Sequence, residues 1–291
     1  MSLRNQNVAV IGLGAMGLPI AANLAKAGVS TQGWNRSEDP RLEAAKVGIT
    51  AVADVSHIDA AIVLVLLPDL PQLKSVLDAG LKSALKSGDF LVIMSTVSPV
   101  AVKELASELV TSGIQVVDAP MSGGVEGAKA ATLSLMVGAT AEQFQALLPT
   151  FEKIGKTIKL MGPLGSGEVA KACNQIIVAT TLTGISEAIA LAKRSGLDLE
   201  ALFDILAGGY AASRIIDVKR QKFVDEDYSS MGSAKNQLKD LNIILDAGQA
   251  TGTALPISAE VKALFESLIA DDKGDLDHSA IITEIEKRSK N

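Results

Sequence analysis

Gly12, Gly14 and Gly17 stand in the stretch VIGLGAMG, directly after the apolar run NVAVI and directly before AMGLPIAANLAKAG, which carries apolar residues at helical spacing. That arrangement leaves few folds open. In a strand-turn-helix unit the first glycine permits the tight turn, the second lets the backbone approach a pyrophosphate, and the third lets helix pack on strand. The N–H groups at the positive end of the helix then hold the anion. The turn from Gly12 to Gly17, with Leu13, Ala15 and Met16 inside it, is read as a dinucleotide-binding turn. The competing reading is a purely structural glycine turn.

The rest of the N-terminal half keeps the same rhythm. NVAVIG, STQGWN, AAIVLVLLP, DFLVIMS, GIQVVDAP and TLSLMVG read as strands separated by helical patterns, the signature of a parallel sheet covered by helices. AAIVLVLL is apolar at every position, as expected of a strand covered on both faces. After Gly162 the strand signals stop, and helical patterns run over about 167–194, 198–207, 212–224, 233–251, 256–270 and 278–289. The expected architecture is an α/β chain: a doubly wound Rossmann domain over 1–163, an all-α domain over 164–291, and a long helix joining them.

Charge and composition exclude several functions. A net charge of -6 gives no basic field for nucleic acid or an anionic membrane surface. With one cysteine and two histidines there is neither a disulfide framework nor a metal site to expect, and a cytoplasmic setting fits best. Cys173 is expected to be a small buried residue. The apolar stretch 172–192 approaches membrane-spanning length, but Asn174, Gln175 and Glu187 interrupt it, which favours a helix buried between protein surfaces. Being apolar almost all round after Gln175, it is expected to be covered on most sides and to pack against a second subunit, in a homodimer or homotetramer.

Strand two ends at GWNRSE. Where an acid would hold the ribose hydroxyls of NAD, this chain has Asn35, Arg36 and Ser37, a cation and a hydroxyl suited to a 2′-phosphate. NADP is the expected cofactor, with NAD as the alternative. Further on, VAKACNQ places Lys171, Asn174 and Gln175 at spacings of three and four, on one helix face in an otherwise apolar segment. A lysine in such surroundings is costly unless something uses it.

Together with DAPMSGGVEGAKAATLSLMVG at 118–138, GSGEVAKACNQ at 165–175 and KDLNIILDAG at 239–248, the glycine turn makes the chain resemble the β-hydroxyacid dehydrogenase family over essentially its whole length. That family includes 3-hydroxyisobutyrate dehydrogenases and tartronate semialdehyde reductases, and NQ after the lysine and DHSA at 277–280 resemble the latter. The resemblance implies interconversion of a small β-hydroxy acid and its semialdehyde, a carboxylate-bearing substrate. Lys171 would be the proton donor and acceptor, and Ser122, Gly123 and Gly124 would hold the substrate carboxylate. It further implies that Asn174 and Gln175 touch substrate, that Lys239 approaches nicotinamide and substrate from the second domain, and that Leu67, Pro68 and Thr96 line the cofactor cleft. Several family members carry asparagine where this chain has Gln175. A 3-hydroxyisobutyrate or succinic semialdehyde enzyme of the same family, an imine reductase, and a non-catalytic dinucleotide-binding protein are the alternatives. Asp277, His278 and Ser279 are adjacent, cannot converge as a triad, and read as a turn.

Overall fold

A computed structural model describes residues 7–229 and 232–289. The backbone separates into two compact units, Met1–Lys171 and Ala172–Asn291.

In the first unit β1 (Val8–Ile11), α1 (Gly17–Lys26), β2 (Thr31–Trp34), α2 (Glu38–Lys46), β3 (Thr50–Val52) and β4 (Ile62–Val65) are followed by α3 (Leu70–Val76) and α4 (Lys82–Ala84). Then come β5 (Phe90–Ile93), α5 (Pro99–Leu109), β6 (Gln115–Asp118), β7 (Met121–Ser122), α6 (Gly124–Lys129), β8 (Leu133–Gly138), α7 (Ala141–Phe151) and β9 (Gly155–Gly162). The strand order is β3-β2-β1-β4-β5-β6-β8-β7, with β9 on β8. β1 to β6 run parallel, and β8 meets β6 and β7 antiparallel. Every residue of β1, β4 and β5 is buried, because helices cover both faces. One face packs Ile20, Leu24, Leu147 and Phe151, the other Leu73, Leu81, Val102 and Leu105. The sheet is doubly wound, as its sequence rhythm indicates.

Strands β3, β7 and β9 were not in the sequence expectation. β9, GKTIKLMG, pairs with β8 alone and exposes most of its residues, Lys156 and Lys159 among them. Lysine on a sheet edge protects it from further pairing and erases the apolar pattern that marks a strand.

The chain order reverses between β1 and β4, which both leave the sheet at its C-terminal edge, the usual ligand crevice of an open α/β sheet.

α8 (Ser166–Arg194) carries the chain across the division between the units, which falls after Lys171. In the second unit its Ala179, Leu182, Ile185 and Ile189 form a stripe in a core with residues of α9 (Leu199–Ala207), α10 (Arg214–Val224), α11 (Ala234–Thr251), α12 (Pro256–Ala270) and α13 (Ile281–Arg288). The helix is long and apolar enough to cross a membrane by length and composition, yet that stripe is core. Burial on most sides does not hold within one chain: Ile177 and Leu191 are 64% and 69% exposed, since the fold covers a single face of the helix. Cys173 is exposed, not buried, because it lies two residues, about 200° around the helix, from Lys171.

The DHS segment is more than a turn. Asp277 caps the 3₁₀ turn His278–Ala280 and is fully buried, where both carboxylate oxygens take bonds from Lys219 Nζ at 2.7 Å. Gly232 N–H, Ser279 N–H and the Ser279 hydroxyl donate to it too. Burial acts to raise the Asp277 pKa, but the bonds from Lys219 and Ser279 prevail and hold it at about 2. Beside it, partly buried His278 contacts Gln237 Oε1 through Nδ1 at 3.1 Å, and burial, with the Lys219 charge, lowers its pKa to about 4. The folded-state value lies below the unfolded one, so the unfolded chain takes up this proton first. Stability from neutral His278 is complete above pH ~6.5 and is lost as the pH falls toward 4. Denaturant titrations at pH 7 and pH ~4 should show His278→Gln losing roughly 2–3 kcal/mol less than wild type over that interval. Equal losses would show that His278 does not couple to folding.

Candidate active site

The glycine turn is built as its sequence requires. Gly12 has φ +98°, and a Cβ there would stand 2.6 Å from the Leu66 carbonyl oxygen on β4's exit. A Cβ at Gly14 would meet nothing within 4 Å, so the protein's own packing does not demand glycine there. The open space it leaves at the start of α1 has room for a dinucleotide pyrophosphate.

At the end of β2, Asn35 faces the turn: its Oδ1 accepts the Leu13 N–H at 3.1 Å, and its carbonyl accepts from Arg41 Nη1 at 3.0 Å. Arg36 and Ser37 are exposed. Ser37 is the N-cap residue of α2, but its hydroxyl makes no capping bond. Asn35 thus shapes the turn, while Arg36 and Ser37 are presented to solvent. Arg41 was not singled out from the sequence.

Leu67 and Pro68 follow β4, and Thr96 follows β5. The two loops are tied by Ser95, whose hydroxyl donates to the Leu67 carbonyl at 2.5 Å. Glu168 Oε2, fully buried on the first turn of α8, accepts the Val97 N–H at 3.1 Å and joins that loop to the helix bearing Lys171. Asp118, at the end of β6, accepts the N–H groups of Gly165 and Glu168 at 2.7 and 2.8 Å, supplying the cap that the start of α8 needs. Burial raises its pKa against the opposing pull of these N–H groups. Sequence reasoning assigned no role to Asp118, Glu168 or Ser95. The available signal was two acids inside otherwise apolar or glycine-rich motifs.

Lys171 is 9% exposed, and its Nζ donates to the Met121 carbonyl at 2.8 Å. The ammonium is thereby brought to the strand that carries Ser122. Gly123 and Gly124 follow with φ +127° and +61°, in a left-handed turn that exposes successive N–H groups. Lys171 therefore meets, in the first unit, the strand that leads into the SGG turn.

In the second unit, Gln175 Nε2 donates to Asp240 Oδ2 at 2.5 Å, and Gln175 Oε1 accepts from Asn174 Nδ2 at 2.9 Å. Lys239 Nζ lies 3.2 Å from Asp240 Oδ1. Asn174, Gln175 and Lys239 are thus linked through Asp240. Among the described residues no group of three or more His, Cys, Asp or Glu could hold a metal ion.

The profile of the NAD binding domain of 6-phosphogluconate dehydrogenase matches residues 7–162. That of the NAD-binding domain of NADP-dependent 3-hydroxyisobutyrate dehydrogenase matches 165–285. The chain belongs to the β-hydroxyacid dehydrogenase family. It is 36% identical to the 2-hydroxy-3-oxopropionate reductase of Escherichia coli K12 over 95% of this chain and 96% of that protein. It is 34% identical to the 2-(hydroxymethyl)glutarate dehydrogenase of Eubacterium barkeri over 94% and 93%. The Mycobacterium tuberculosis 3-hydroxyisobutyrate dehydrogenase structure with L-serine superposes with a TM-score of 0.86 at 29% identity, over 97% of this chain and 99% of that one. The enzyme is accordingly an oxidoreductase of CH–OH groups that uses a nicotinamide dinucleotide.

Proposed function

We propose that the enzyme reduces 2-hydroxy-3-oxopropionate to 2,3-dihydroxypropanoate, with NADPH preferred over NADH and Lys171 as the proton donor. The observation that carries this reading is the buried Lys171 ammonium, aimed by Met121 at the strand leading into the SGG turn. The likeness to the Escherichia coli reductase supports the choice of substrate. Bound in the glycine cradle, the dinucleotide supplies hydride to the aldehyde carbon. The chain's own residues do the remainder. The Ser122 hydroxyl and the N–H groups of Gly123 and Gly124 hold the carboxylate without adding a full charge. Lys171 Nζ hydrogen-bonds the aldehyde oxygen and gives it a proton as negative charge develops there. Lys239, by its match to the family lysine, is assigned to substrate and cofactor as well.

An assay of 2-hydroxy-3-oxopropionate, 2-methyl-3-oxopropanoate, succinic semialdehyde and glyoxylate with both cofactors tests this. The first compound with NADPH is expected to give the highest kcat/KM, and a higher value for another substrate would reassign the activity within the family. We also propose a homodimer or dimer of dimers in which the exposed apolar side of α8, including Ile177 and Leu191, is covered by a second copy. Light scattering at micromolar concentration should give at least twice the subunit mass; a monomer would refute it.

A further inference from the structure

Both ends of the Gln175 amide are engaged by the protein itself. A carboxylate oxygen can only accept, so the 2.5 Å contact with Asp240 Oδ2 fixes Nε2 on that side of the Gln175 amide. Gln175 Oε1 must then point the other way, toward Asn174, and Asn174 must answer it with an N–H. The orientation of two amides is thereby dictated by one charge, and the Asn174 Oδ1 acceptor is turned away from Gln175. Asn174 lies three residues beyond Lys171 on α8, on the helix face already assigned to chemistry. Asparagine at 175, shorter by a methylene, would not make the same span to α11.

We propose that Gln175 is a positioning residue rather than a substrate contact: it transmits the polarity of Asp240 to Asn174, which then offers a carbonyl oxygen to the substrate. An acceptor at that place selects for a donor. The site therefore favours semialdehydes with a hydroxyl at C2 over those with a methyl there, a selectivity that rests on the semialdehyde reductase reading above. Discarding the hydroxyl leaves the Asn174 oxygen without its bond, and that penalty discriminates more strongly than the shape difference between hydroxyl and methyl.

The test is the ratio of kcat/KM for 2-hydroxy-3-oxopropionate to that for 2-methyl-3-oxopropanoate, measured in wild type, Gln175→Met, Asp240→Asn and the double variant. Methionine has similar length and flexibility to glutamine, and thermal melts check that each variant folds. Wild type should favour the hydroxylated substrate. Gln175→Met should lower the ratio about tenfold, chiefly through the hydroxylated substrate, because Asn174 loses its fixed orientation. Asp240→Asn can present either polarity, so it should lower the ratio too, and the double variant should lower it little further than Gln175→Met does. A general loss of packing would depress both substrates together and leave the ratio intact. An unchanged ratio in a folded, active Gln175→Met enzyme would overturn the proposal while leaving the reductase reading in place. So would strictly additive effects of the two substitutions. A wild type that turns over neither substrate would overturn the reading and the proposal with it.

Discussion

Lys171→Ala is expected to lower kcat by roughly 10²–10⁴-fold, the usual contribution of a positioned general acid, with cofactor affinity changed by less than about twofold. The reason is geometric. Lys171 is buried, its Nζ is held by the Met121 carbonyl, and α8 is fixed at its start by the Asp118 and Glu168 contacts. Alanine removes the donor without touching the glycine turn of α1, so binding of the dinucleotide should survive. Lys171→Arg sharpens the point, since guanidinium keeps the charge but does not release its proton at accessible pH. That variant should recover little of the lost turnover. A Lys171→Ala enzyme with a tenth of wild-type kcat would show that another group supplies the proton.

The part of this site that was legible in the sequence is the part that depends on local pattern. A cation in an apolar helix, three glycines after a strand and an SGG turn each announce themselves within a few residues. Six strands, β1, β2, β4, β5, β6 and β8, declared themselves as β-rich runs between helical patterns, whereas β9, the longest of all, did not, because as a lysine-bearing edge strand it has no apolar run to show. Asp118 and Glu168 were missed because the contacts that give them roles close loops of 47 to 71 residues. The bond from Gln175 to Asp240 was missed for the same reason. Spacing alone does not distinguish an amide that meets a ligand from one that meets a carboxylate 65 residues away. The ion pair of Lys219 with Asp277, 58 residues apart, is equally invisible to local pattern.

Asn35→Asp combined with Arg36→Ala is expected to reverse the cofactor preference, from NADPH in wild type to NADH. Asn35 directly follows β2 and its Oδ1 is engaged by the Leu13 N–H, so aspartate would keep an acceptor for that bond while adding a negative charge. That charge would repel a 2′-phosphate and bond the ribose hydroxyls of NADH. Arg36 and the Ser37 hydroxyl are exposed beside the turn, and Ser37 is not consumed in capping α2. A charge-assisted contact from Arg36 to a 2′-phosphate, partly exposed, would be worth ~1.5–3 kcal/mol, or about ten- to a hundredfold in selectivity. Glu38 and Asp39 in the first turn of α2 would oppose it and keep such a preference from being absolute. Equal or higher kcat/KM with NADH than with NADPH in the unmodified enzyme would leave Arg36 without a part in cofactor choice.

Hydride transfer to a small semialdehyde is tested most directly by a single turnover, with enzyme in excess over NADPH, mixed with 2-hydroxy-3-oxopropionate and followed by cofactor absorbance and product analysis. The expected result is complete oxidation of the bound NADPH in one phase with an equal amount of 2,3-dihydroxypropanoate formed, and a phase slowed roughly 10²-fold or more in Lys171→Ala. Failure of the wild-type enzyme to oxidise its cofactor with this substrate, or oxidation without the dihydroxy acid, would contradict it.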